Sequence, residues 1–241
     1  MNLYKYAAPV NFYPLAGKLI PWFAIPAAIL FAAGLYVGFF VAPTDFQQGD
    51  AYRIMFIHVP AAWMGMFLYV LLAFYAAIGW AFNARLASMM ASSIATTGAM
   101  FTFLSLVTGA LWGKPTWGTW WVWDARMTST LILLFLYAGF ISLQASIDDP
   151  RRADRAGAVL AIVGVINVPI IYFSVQWWNT LHQGATIRIL GKPSIAPPML
   201  AAMLIMLAAC WLYSVAVVLI RLRCIILERE QNAAHLAEVP V

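Results

Sequence analysis

Two histidines, His58 and His182, and the run W-G-K-P-T-W-G-T-W-W-V-W-D from Trp112 to Asp124 are the parts of this chain best equipped for chemistry. Imidazole is a ligand for iron, zinc or copper. Five of the eleven tryptophans fall inside that one run. A polar loop needs none of them, so their density points to a flat, apolar ligand. Trp117, Trp120, Trp121 and Asp124 follow the i, i+3, i+4, i+7 spacing of one helical face, which predicts a short helix presenting its indoles side by side. Gly113 and Gly118 permit tight turns, Pro115 is expected to interrupt any helix between them, and Asp124 is placed to N-cap whatever helix follows.

Donor counting narrows the chemistry. A closed tetrahedral zinc site needs four ligands, and here it would have to recruit Asp45, Asp50 or Asp124 beside the two histidines. Iron in a porphyrin needs only its two axial positions filled, so His58 and His182 with an aromatic floor fit haem better than a bare metal. Arg53 lies five residues before His58, and Arg126 two after Asp124. A guanidinium fork matches a carboxylate, and haem carries two propionates. The ordinary alternative is snorkelling to lipid headgroups, which suffices for Arg188 and Lys192. The ordinary alternative for tryptophan is an interfacial belt. It accounts for Trp22, Trp63, Trp80, Trp177 and Trp178 but scatters single rings rather than packing five into one loop.

The elements that position these residues follow from composition. The chain has 241 residues, of which 64% are hydrophobic and 10% charged, too apolar for a water-soluble domain of that length. A bilayer core of ~30 Å takes about 20 helical residues. Six uncharged stretches are long enough, near 20–41, 54–80, 91–111, 127–147, 157–178 and 199–221. The first is too long for a signal sequence and is not followed by a small-residue cleavage site, so it should remain as a helix. The expected fold is an all-α integral membrane protein, a single polytopic domain over 1–241, with a Trp-rich loop or short helix between spans three and four.

Charge sets the orientation. Lys5, Lys18, Arg85, Arg151, Arg152, Arg155, Arg221, Arg223 and Arg229 share one side of such a topology, and Arg53, Lys114, Arg126, Arg188 and Lys192 the other. The excess places both termini in the cytoplasm of a bacterial inner membrane and both histidines with the tryptophan loop on the periplasmic side. The net charge of +5 then reflects topology, since no basic block is large enough to follow a phosphate backbone. His235 falls in the tail, where 222–241 is expected to form at most one or two exposed helical turns. Cys210 and Cys224 read as small buried hydrophobes. No paired carboxylates, Ser–His–Asp set or Walker motif appears, so the chain reads as a binding and transfer platform rather than an enzyme.

Six spans, W-G-x-x-x-W-G-T-W-W-x-W-D between spans three and four, flanking outer histidines, and I-H-V-P-A-A-W at 57–63 together resemble the CcmC family of tryptophan-rich haem-handling proteins of bacterial cytochrome c maturation. The resemblance covers nearly the whole chain. CcmF and CcsA-type proteins share versions of the tryptophan motif but have more spans and further histidines. The resemblance implies that His58 and His182 ligate the iron of a transiently held haem b from opposite faces. It implies that Trp112, Trp117, Gly118, Trp120, Trp121, Trp123 and Asp124 form the platform beneath it. It further implies delivery of haem to the chaperone CcmE, in company with CcmD and the ABC-type subunits CcmA and CcmB. Two rival readings are a transmembrane haem exporter and a quinol-linked electron-transfer subunit holding bis-His haem.

Overall fold

The computed structural model describes residues 3–182 and 195–230; Arg188, Lys192 and His235 lie outside them. After a 3-10 turn at Leu3–Ala7, the chain folds into α1 (Pro9–Tyr36), α2 (Met55–Phe82), α3 (Arg85–Trp117), α4 (Ala125–Ser146), α5 (Pro150–Gly164), α6 (Asn167–Trp177) and α7 (Pro197–Glu230). A π-helical turn, Val37–Val41, prolongs α1, and a 3-10 turn, Asp50–Ile54, leads into α2. With α5 and α6 counted as one interrupted span, six helical units are long and apolar enough to cross a membrane. The protein is therefore a multi-pass, all-α membrane protein.

The helices outrun the uncharged stretches. The first span begins at Pro9 rather than near residue 20, because Lys18 and the internal Pro14, Pro21 and Pro26 bend or decorate the helix without ending it. Pro150 occupies the first turn of α5, where its missing N–H has no partner to lose; Asp149 caps that end by accepting from Arg152 N at 2.8 Å. The last span does not stop near residue 221. It continues as one helix to Glu230, with Leu222 and Ile226 fully buried, so the expected exposed turns after 222 are instead the packed end of α7. Arg229 holds that end down, donating to both oxygens of Asp154 on α5 and to Gln144 on α4. Of the two cysteines, Cys210 is buried as expected, whereas Cys224 is exposed on α7.

Packing follows the small residues, as it does between helices that gain no hydrophobic drive from their lipid surroundings. In the centre Tyr69 of α2 and Tyr137 of α4 meet edge to face at 4.9 Å, and Tyr137 donates its hydroxyl hydrogen to Gly65 O at 2.8 Å. This ties α4 to α2 in mid-bundle. The fifth span breaks at Val165–Ile166, and Asn167 at the start of α6 donates to Ser129 O on α4 at 2.8 Å. That bond sets α6 against the first turns of α4, the geometry on which the position of His182 depends.

Candidate haem site

The site lies where the ends of α2, α3, α4 and α6 meet. His58 sits in the first turn of α2, and α3 passes beside it with Thr108 and Gly109. His58 Nδ1 is 3.1 Å from Thr108 Oγ1, and Thr108 Oγ1 in turn donates to Leu104 O at 2.7 Å. A Cβ on Gly109 would stand 3.0 Å from His58 Cε1, so the ring rests against α3 only because that residue has no side chain.

His182 follows α6 through the short segment 178–181. Its Nδ1 is 3.2 Å from Asp124 Oδ2, and both side chains are largely buried. The same aspartate accepts from Met127 N through Oδ1 at 2.8 Å, confirming it as the N-cap of α4. Burial holds the His182 imidazolium below its ordinary range; the Arg126 charge adds to that effect, and Asp124 opposes it.

The tryptophans are arranged differently from one helical face. Helix α3 runs through Pro115 to Trp117, because a proline two residues from the end removes only one bond from the ladder. It stops at Gly118, whose φ of 80° is the left-handed C-cap conformation glycine adopts without steric cost. Residues 118–124 are not helical, so the expected short helix carrying Trp117, Trp120, Trp121 and Asp124 does not form. The rings are distributed instead. Trp112 packs edge-on to His58 at 5.7 Å and donates its indole N–H to Gln48 at 2.8 Å. Trp117 lies 5.0 Å from the His182 ring. Thus α3 supplies one indole to each histidine. Trp121 turns its indole nitrogen inward and packs against Trp123 at 5.3 Å, while Trp120 and Trp123 face outward.

The two arginines separate. Arg126 lines the same small pocket as His58, Ser105, Gly109, Thr130 and His182. Arg53 does not. Its guanidinium donates to Asp50 at 2.9 Å and to the carbonyls of Gly38 and Ala42 at 2.7 and 3.0 Å, closing the end of the first span.

Among the described residues no three His, Cys, Asp or Glu side chains cluster as a metal site. The donor set is two imidazoles from separate elements, each with its Nδ1 engaged by a neighbour. That set leaves Nε2 of each ring as the remaining ligand atom and fits two axial positions of a porphyrin iron better than a four-ligand ion. Thr108, Gly109 and Gln48 were missed in the sequence; the polar positions Thr102, Ser105 and Thr108, three apart on one face of α3, were the available signal.

Comparison with known proteins gives the relatives. The family model described as "Heme exporter protein C" (CcmC) matches residues 2–237. The heme exporter protein C of Escherichia coli K12 is 45% identical over 238 residues, covering 99% of this chain and 96% of that protein. The one from Bradyrhizobium diazoefficiens is 44% identical, covering 99% and 90%. A putative cytochrome c biosynthesis ccmC-like mitochondrial protein of Marchantia polymorpha is 47% identical over 162 residues, 67% of this chain and 68% of its own. With a matching model over nearly its full length and relatives 44–45% identical over nearly all of it, the chain belongs to the heme exporter protein C (CcmC) family.

Proposed function

We propose that this protein handles haem for cytochrome c maturation, holding haem b between His58 and His182 at the periplasmic face of a bacterial inner membrane and passing it to the chaperone CcmE. The observation that carries the reading is the convergence of two imidazoles, each Nδ1 occupied, on one pocket lined also by Arg126. The names of the relatives, a heme exporter protein and a cytochrome c biosynthesis protein, agree with a haem ligand. In this reading the whole chain acts as one membrane domain, with CcmD and the ABC-type pair CcmA and CcmB as its assembly partners.

Each residue has a task. His58 and His182 fill the axial positions, which leaves the iron held but closed to other ligands. Trp112 and Trp117 brace the two rings, and Trp120, Trp121 and Trp123 with Gly118 form the rim against which a porphyrin face can stack. Arg126 pairs with a propionate; Arg53 supports the site by holding the end of the first span. Asp124 positions His182. The pocket lined by both histidines also takes in Arg126, Thr130 and Ser105, so the polar groups of three helices face the space a ligand would enter.

The test is spectroscopic. Haem co-purifying with the wild-type protein should show a six-coordinate, low-spin spectrum; His58→Ala and His182→Ala should each convert it to a five-coordinate form or lose the haem. A double variant that keeps the six-coordinate spectrum would remove both residues from the iron.

A further inference from the structure

We propose that Thr108 is a positioning residue that fixes the tautomer of His58, so that Nε2 carries the lone pair presented to iron. This rests on the reading of His58 as a haem ligand and goes further, naming the nitrogen that binds and the residue that selects it. A neutral imidazole has one N–H and one lone pair, and their assignment depends on what each nitrogen faces.

The bond pattern around Thr108 decides the matter. A threonine hydroxyl has a single hydrogen. Its nearest acceptor is Leu104 O at 2.7 Å, with Ser105 O a more distant 3.3 Å. Once that hydrogen is directed into the carbonyls of its own helix, Oγ1 has only lone pairs to offer His58 Nδ1 at 3.1 Å. Two facing lone pairs repel, so Nδ1 carries the hydrogen and donates it. Nε2 is then unprotonated, in the pocket that His58 shares with Arg126 and His182. Gly109, with no Cβ to crowd the ring, lets His58 approach close enough for the bond to form.

His182 reaches the same tautomer by different chemistry. Asp124 is a carboxylate that only accepts, and its other oxygen is already taken by Met127 N. His182 Nδ1 therefore donates to Oδ2, and Nε2 again remains open. Two rings on separate elements are set alike, one by a hydroxyl and one by a carboxylate. Outer partners of this kind orient a metal-binding ring and raise its basicity, and their loss typically costs about 10- to 100-fold in metal affinity.

The experiment uses the full chain, purified without haem and labelled with ¹⁵N-histidine, so that it does not depend on ligation. The sequence has only three histidines, and single His→Gln variants assign their ring nitrogens. His58 in the wild type should show a protonated Nδ1 and an unprotonated Nε2. Thr108→Val, which keeps the shape and removes the acceptor, should give a mixture of tautomers, and Thr108→Ser should restore the single form. A wild-type spectrum with the hydrogen on His58 Nε2, or a Thr108→Val spectrum identical to wild type, would overturn the proposal. If Thr108→Val does not fold, Thr108→Ala, which also removes the acceptor, takes its place, and a spectrum there identical to wild type would likewise overturn the proposal. Haem spectra of His58→Ala separately test ligation: unchanged ligation there would sink the functional reading while leaving the tautomer result standing.

Discussion

Asp124 and His182, 58 residues apart in sequence, are joined through one carboxylate oxygen at 3.2 Å, while the other oxygen caps α4 at 2.8 Å. One side chain thus starts a membrane helix and holds a histidine of the candidate site, so the end of the tryptophan run is coupled to the segment that follows α6.

These two tasks separate by substitution. Asn caps helices about as well as Asp, whereas Ala at an N-cap costs about 1 kcal/mol. Asp124→Asn should therefore leave thermal stability near wild type yet lower haem affinity by about 10-fold or more, the scale of a lost outer partner to a ligand. Asp124→Ala should lower both. Haem titration and thermal unfolding of the two variants distinguish the roles; equal affinity in wild type and Asp124→Asn would show that the carboxylate does not serve His182.

Gly109→Ala sets helix propensity against the packing of His58. Alanine is favoured over glycine in a helix by about 1 kcal/mol. Its Cβ, however, would press on the His58 ring at 3.0 Å. A variant no more stable than wild type, because the contact offsets the gain in helix propensity, and with an altered low-spin haem spectrum is the expected result. An unaltered spectrum would mean that the ring can shift without consequence for the iron.

Arg53 and Arg126 should fail differently. Removing the Arg53 guanidinium leaves the carbonyls of Gly38 and Ala42 without that donor, each unmet group costing about 1–3 kcal/mol where water cannot reach it; Asp50 is exposed and keeps its bond from Thr44. Arg53→Gln is expected to unfold at lower temperature, with haem binding following stability. Arg126→Gln should fold normally and bind haem more weakly. The comparison to make is haem affinity at a temperature where both variants are folded, and a larger loss in Arg53→Gln would reverse the assignment.

The pH dependence follows from His182. Only a neutral imidazole can serve as the proposed iron ligand, and burial with the Arg126 charge lowers the proton affinity of His182, against the opposing pull of Asp124. Haem affinity should stay constant as pH falls through the usual histidine value of about 6.5 and decline only below it. Neutralising Arg126 removes a charge that disfavours the imidazolium, so Arg126→Gln should move the decline to higher pH. A wild-type decline centred above the ordinary histidine value would contradict the direction.

Much of the architecture was legible because its cause is compositional. Uncharged stretches long enough to span lipid gave the six membrane units, and the spacing of His58, His182 and the tryptophan run placed the chemistry at one end of the bundle. Asp124 was readable as an N-cap because capping is a local event, involving a side chain and a backbone three residues away. The helix expected over Trp117–Asp124 was misread for a related reason. Periodicity reports which residues would share a face if a helix formed, but Gly118 ends α3 in a left-handed turn first. The exposed tail was misread because burial of Leu222 and Ile226, and the pairing of Arg229 with Asp154, depend on distant partners.

By itself the sequence determined a helical membrane protein, two histidines near the ends of its spans and an aromatic run between two of them, since each rests on residue type and on distance along the chain. Only the tertiary structure decided that Trp112 serves His58 and Trp117 serves His182, that Arg126 faces the pocket while Arg53 is bound into the scaffold, and that Thr108 and Asp124 hold the two rings. Hydrogen bonds reach about 3 Å and depend on direction, so partners separated by 50 or 58 residues become specific only when helix packing has brought them together.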